Sequence, residues 1–233
     1  MADEFLTTRW TLVLTARGDD SAAGAALEHL LRSAWRPLYA FARRWGASQE
    51  DAEDAVQGFM ASLLARRSLS NMTEGKGRFR SFLLAGMRNH MSDERSRATA
   101  GKRGGGAAQV SLDAGDAERG YAELAVDSET PERAFERVWA MEIMSRSRVR
   151  LAEECTASGK AEVFAALFPD AAGEPENYAA IGERLGLTET ALRSLALRLR
   201  RRWRDLIRAE LAQTVSSGAA LEEELNALRA ALV

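Results

Sequence analysis

Leu27, Leu31, Ala34, Leu38, Phe41 and Trp45 recur at alternating spacings of four and three residues, the repeat that lays side chains along one face of an α-helix. Stripes of this period return along most of the chain, β-branched runs are few, and only 4 prolines occur in 233 residues. A stripe of this kind must be covered, so the chain reads as an all-α fold of short helices packed on one another. Pro37 interrupts the first stripe and lacks the N–H a helix interior uses, which predicts a break near Arg36 with Pro37 opening the next helix.

Local signals place further elements. Ser48 and Asp51 form a capping pair for a helix from about Gln49 to Arg67, acidic at its start and basic at its end as its macrodipole favours. Its apolar face is Ala52, Val56, Phe59 and Leu63. After a polar loop, Ser68 to Gly77, a helix starts near Arg78. It turns Phe79, Leu83, Met87 and His90 one way and Ser81, Arg88, Ser92 and Arg95 the other. The Gly-, Ala- and acid-rich stretch from Gly104 to about Ser128 reads as a linker. Thr130-Pro131 then opens a helix to about Cys155, followed by a short one at Ala161 to Phe168. The organisation expected is a first helical domain over 1–103, a flexible acidic linker over 104–129, a second helical domain over 130–213 and a tail helix over 214–233. The tail carries the stripe Leu221, Leu225, Leu228 and Leu232, suited to the protein's own core or to a partner.

The formal net charge of −2 hides a strong pattern. Lys76 to Arg103 balances at +6, Asp113 to Glu136 at −6, and Arg193 to Arg208 at +6. Two basic segments flanking an acidic one suggest two phosphate-facing surfaces and a spacer.

The most informative stretch runs from Asn177 to Arg204, NYAAIGERLGLTETALRSLALRLRRRWR. Ile181 and Leu185 are core positions of a first helix, and Gly182 between them allows a second helix to cross closely. Gly186 supplies a turn where positive φ is cheap only for glycine, and Thr188 caps a second helix with Leu192, Leu195 and Leu199 inward. Arg193, Leu197, Arg200, Arg204 and Arg208 face outward. This is the pattern of a helix-turn-helix, whose second helix meets base edges in the major groove while later arginines neutralise phosphates.

That stretch resembles region 4 of bacterial sigma factors. Independently, SQEDAEDAVQGFMASLL at Ser48–Leu64 and GRFRSFLLAGMRNHMSDERSR at Gly77–Arg97 are similar to two helices of sigma region 2. Both regions in this order, without a bulky region between them, resemble the extracytoplasmic-function group. The resemblance implies that Asp51, Glu53, Asp54 and Gln57 dock on the clamp helices of core RNA polymerase. It implies −10 DNA contacts from Asn71, Lys76, Arg78, Arg80, Arg88, Asn89, Ser92 and Arg95, with Asn71 and Lys76 in the loop that captures a flipped base. For the −35 element it implies Thr188, Thr190, Arg193, Ser194, Leu197, Arg198, Arg200 and Arg204. The acidic linker would thread toward the polymerase cleft. Leu195 and Leu197 depart from the residues many members carry there, and Phe82 replaces a frequent Trp. Core polymerase and promoter DNA are the partners implied, and the group admits an anti-sigma factor as a third.

Other classes fit less. With His29 and His90 alone, His-centred triads and three-His metal sites are not available, and no phosphate loop of the G-x-x-x-x-G-K-[ST] spacing occurs. No enzyme, cofactor, metal or small-molecule substrate is expected. The single Cys155, the absence of an apolar run of membrane-spanning length, and a start lacking an apolar signal core point to the cytoplasm. The competing reading is a helix-turn-helix regulator that binds duplex DNA without polymerase. It explains the second half but gives no role to the DAEDAVQ helix or the acidic segment. A helical interaction scaffold explains the leucine stripes but not the arginine rows.

Overall fold

Proline does not break the first helix. In the computed structural model, which describes residues 21–66, 78–99, 118, 129–168, 177–215 and 217–232, α1 runs unbroken over Ser21–Arg44 with Pro37 inside it. Losing one hydrogen bond and crowding the preceding turn costs about 3 kcal/mol. On both sides of Pro37, however, Ala34, Trp35, Leu38, Tyr39 and Phe41 are all buried. A break would swing half of that stripe out of the core, a larger loss at ~1.5–3 kcal/mol for each large side chain. The side chain of Leu27 lies outside the described residues. Gly46, at φ 104°, turns the chain out of α1 while Ala47 N–H donates back to the Ala42 carbonyl.

The other helices follow their local signals: α2 Gln49–Arg66, α3 Phe79–Thr99, α4 Pro131–Ala157, α5 Ala161–Leu167, α6 Tyr178–Leu185, α7 Glu189–Ala212 and α8 Gly218–Ala231. All the regular structure among the described residues is helical. Ser48 caps α2 as its spacing predicts: its Oγ accepts from Asp51 N–H at 3.2 Å and donates to the Asp51 carboxylate at 2.7 Å. Thr130 Oγ1 accepts from Arg133 N–H ahead of α4, with Pro131 at the first helical position.

The chain folds as two compact units, residues 1–142 with 211–233, and residues 143–210. This division differs from one drawn at the glycine-rich stretch. The boundary falls inside α4, because its first turns bury Ala134, Phe135, Val138 and Trp139 in the first unit. Of the expected linker only Glu118 and Glu129 are described, and both hold arginines of that unit. Glu118 accepts from the Tyr39 hydroxyl and, at 3.0 Å, from Arg43. Burial and this carboxylate push the Tyr39 hydroxyl pKa far up. Glu129 takes a two-pronged contact from Arg137, down to 2.6 Å.

In the first unit α1, α2 and α3 pack on one another around Leu38, Tyr39, Phe41, Met60, Phe79, Leu83 and Met87, all essentially without exposure. The tail helix α8 belongs to this unit. Leu221 and Leu225 of its stripe are buried, Leu228 is half-buried and Leu232 is exposed. Glu224, only 3% exposed, accepts from Arg80 Nε at 3.1 Å and Nη2 at 3.2 Å, and Arg80 Nη1 donates to Glu136 at 2.9 Å. Arg78 pairs with Glu223 and Glu224 of the same helix. Breaking one side of a buried ion pair leaves a charge without its partner. Glu224→Ala should therefore lower unfolding free energy in urea by about 3–5 kcal/mol, and the apolar pair Arg80→Met with Glu224→Leu should recover most of that loss. An unchanged midpoint for Glu224→Ala would show that α8 does not dock on this unit.

Candidate nucleic-acid interface

Two surfaces carry the chemistry, one on each unit. In the first, α2 and α3 cross where both have small residues. A Cβ at Gly86 would come within 2.8 Å of the Phe59 ring, and one at Gly58 would stand 3.4 Å from His90 Nε2. Phe59 and His90 pack ring to ring at 5.8 Å, and His90 lies 3.3 Å from Glu94, so this histidine is a packing residue at the crossing.

The crossing leaves the acidic side of α2 outward. Asp51 and Asp54 are exposed and Glu53 and Gln57 half-buried, with Glu53 accepting from Gln49 at 3.1 Å. On α3, Arg88, Asn89, Ser92 and Arg95 are exposed together and form one polar, basic face. Arg78 and Arg80 do not join it. Arg80 is buried and Arg78 half-buried, both held by carboxylates of α8. Asn71 and Lys76 lie outside the described residues.

In the second unit a tight turn joins α6 to α7. Asn177 caps α6, its side-chain oxygen accepting from Ala180 N–H at 3.0 Å. Gly186 ends the helix in the left-handed region, φ 65° and ψ 30°, with its N–H donating to the Gly182 carbonyl. Leu187 N–H donates to the same carbonyl at 2.9 Å. Thr188 caps α7, its Oγ1 accepting from Ala191 N–H at 3.2 Å. Gly182 is required by contact rather than by φ, since a Cβ there would stand 2.5 Å from the Leu187 carbonyl oxygen. The two helices close on Tyr178, Leu192, Ala196 and, from α5, Leu167, with Ile181, Leu185, Leu187, Leu195 and Leu199 packed around them. A second cluster, Leu151, Cys155, Phe164 and Leu206, fixes the later turns of α7 against α4, and burial raises the Cys155 thiol pKa.

This packing decides which cations face outward. Thr188, Thr190, Arg193, Ser194, Leu197, Arg198 and Arg204 are exposed, and Arg200 is half-buried. Arg193 is held from two sides, by Glu189 at 2.6 Å and by the Tyr178 ring, 4.7 Å below its guanidinium. Arg202 points elsewhere. It makes a bidentate contact to Glu154 at 2.7 and 2.8 Å, which lowers the carboxyl pKa and raises that of the guanidinium. Arg201 is exposed on the outward side and was missed by a reading that followed the spacing from Arg193. At roughly 100° per residue, Arg201 continues the line of Thr190, Ser194 and Leu197, a signal that helical phase alone would have supplied.

Residues 30–100 match the family model described as Sigma-70 region 2. That stretch is similar to a sigma-70 region 2. It runs from the middle of α1 through α3 and contains both the acidic side of α2 and the basic face of α3. The match supports a factor of the sigma-70 family and, with it, a role in RNA polymerase binding and promoter recognition. No curated protein and no solved structure matches the chain. No group of three or more His, Cys, Asp or Glu suited to a metal ion occurs among the described residues. No described helix is long and apolar enough to cross a membrane.

The turn makes its own prediction. Gly182→Ala must push α6 away from the Leu187 carbonyl, an overpacking cost of about 1–3 kcal/mol. Thermal unfolding followed by circular dichroism should show a lowered transition for this variant, whereas Ala180→Gly, at an exposed helical site, should cost only about 1 kcal/mol or less.

Proposed function

We propose that the chain is a sigma factor of the extracytoplasmic-function group that binds core RNA polymerase, directs it to promoters and helps open them. One observation carries this reading: the match to sigma-70 region 2 is followed on the same chain by two helices, α6 and α7, joined by a tight glycine turn, which we read as a helix-turn-helix. In this reading Asp51, Glu53, Asp54 and Gln57 dock on the polymerase clamp helices. Arg88, Asn89, Ser92 and Arg95 follow −10 DNA, joined by Asn71 and Lys76 of the preceding loop. Opening DNA means unstacking bases, and a pocket for a flipped base with cations along the released strand offsets that cost. Arg78 and Arg80 act on this surface indirectly, by holding the start of α3.

The second unit is the region 4 of this reading and places α7 in the major groove of the −35 element. Thr188, Thr190, Arg193, Ser194 and Leu197, in its first turns, meet base edges, and Arg198, Arg200 and Arg204 run toward phosphates. The acidic segment before α4 passes toward the polymerase cleft, where its charge stands in for nucleic acid. The factor works in the cytoplasm without cofactor or catalysis of its own, and an anti-sigma factor is the partner class that would silence it.

Run-off transcription tests the proposal. Core RNA polymerase on fragmented genomic DNA should yield discrete transcripts only when this protein is added. Asp54→Lys and Gln57→Ala should reduce those transcripts and the protein's affinity for core by at least fivefold, with unchanged helical content. Wild-type transcription from either variant would remove α2 from the polymerase contact, and no protein-dependent transcript at all would reject the proposal.

A further inference from the structure

Three large apolar side chains stand exposed among the described residues, and Leu197 is the most exposed at 65%, against 54% for Val149 and 41% for Leu232. Helix α7 has a well-filled inner side for its other apolar residues. Leu192 and Ala196 are at most 1% exposed, and Leu195 and Leu199 pack on the same core. Leu197 instead occupies the outward line with Thr190, Ser194 and Arg201, beside the exposed Arg198 and Arg204.

A single exposed leucine is ordinary on a protein surface. Its setting here is not, because the surrounding arginines draw this face toward a polyanion, where an apolar side chain loses its water without gaining a hydrogen bond. In the major groove the base edges carry donors and acceptors throughout, with one apolar exception, the C5-methyl group of thymine. Leucine has nothing to offer a donor or an acceptor. Against a methyl group it buries apolar area on both sides.

We propose that Leu197 determines specificity by packing on the C5-methyl of a thymine, while the arginines around it hold α7 in the groove. The inference rests on the duplex-reading role of α7 argued above and adds the base that this position selects. Arg193, held by Glu189 and Tyr178, stands one turn before Leu197 on the same helix. The thymine is therefore a neighbour of the base step that Arg193 faces.

Deoxyuridine differs from thymidine only in lacking that methyl group. The test uses the full-length protein with core RNA polymerase, on a template it transcribes. Each thymine of the −35 element, on both strands, is replaced singly by deoxyuridine, and holoenzyme binding is measured. At one position the wild type should bind about three- to fivefold more weakly, the size expected for one buried methyl group. Leu197→Ala should bind thymine DNA more weakly by a similar factor and show no deoxyuridine penalty there. Because Leu197 is exposed, its replacement should leave helical content unchanged, which circular dichroism checks. If no position responds, or the penalty persists in Leu197→Ala, the inference is overturned. A parallel template with a scrambled −35 element separates the two levels. If scrambling leaves binding intact, the −35 reading of α7 fails, and the thymine contact fails with it.

Discussion

A guanidinium buried among carboxylates organises the first unit. A fold that buries a guanidinium must supply acids at hydrogen-bond distance, and Glu224 and Glu136 do so for Arg80 from α8 and α4. One side chain thereby joins three helices whose residues lie up to 144 positions apart in the chain. The tail helix becomes part of the first unit through this contact and through the burial of Leu221 and Leu225. The same contact divides the basic residues of α3 into two kinds. Those at its start hold the protein together, and Arg88 and Arg95 are exposed, where a nucleic acid could reach them.

Charge on α7 divides in the same way. Seven arginines between Arg193 and Arg208 look equivalent as composition, but packing gives them different positions. Arg202 is turned to Glu154, Arg193 is braced by Glu189 and Tyr178, and Arg198, Arg201, Arg204 and Arg208 are exposed. The direction of every one of them follows from where the inner side of α7 settles. That is set by the close approach at Gly182 and the left-handed residue at Gly186.

Features written in short stretches of chain were legible from the sequence. The Ser48–Asp51 cap, the Thr130-Pro131 start and the turn from Gly186 to Thr188 each depend on residues within a few positions of one another. The apolar face of α2, with Ala52, Val56, Phe59 and Leu63 buried, followed from period alone. What the sequence hid is non-local. Pro37 was expected to break α1, and its local cost is real, but the core on both sides of it outweighs that cost. The resemblance implied that Arg78 and Arg80 face DNA, and nothing local marks their acidic partners, which lie far along the chain in the tail helix. The unit boundary inside α4 was hidden for the same reason: a continuous helix carries no mark where its packing partners change.

If the protein is a sigma factor, its affinities should be ordered by partner. Its two basic faces lie on separate units, and its formal net charge is −2, so it should grip duplex DNA weakly alone. The direct measurement is equilibrium binding of the full chain to core RNA polymerase without DNA, set against binding to promoter duplex without polymerase. The account predicts tight association with core, in the nanomolar range, and duplex binding that is weak, salt-sensitive and indifferent to sequence. Specific, tight duplex binding by the protein alone, together with no measurable association with core, would contradict it.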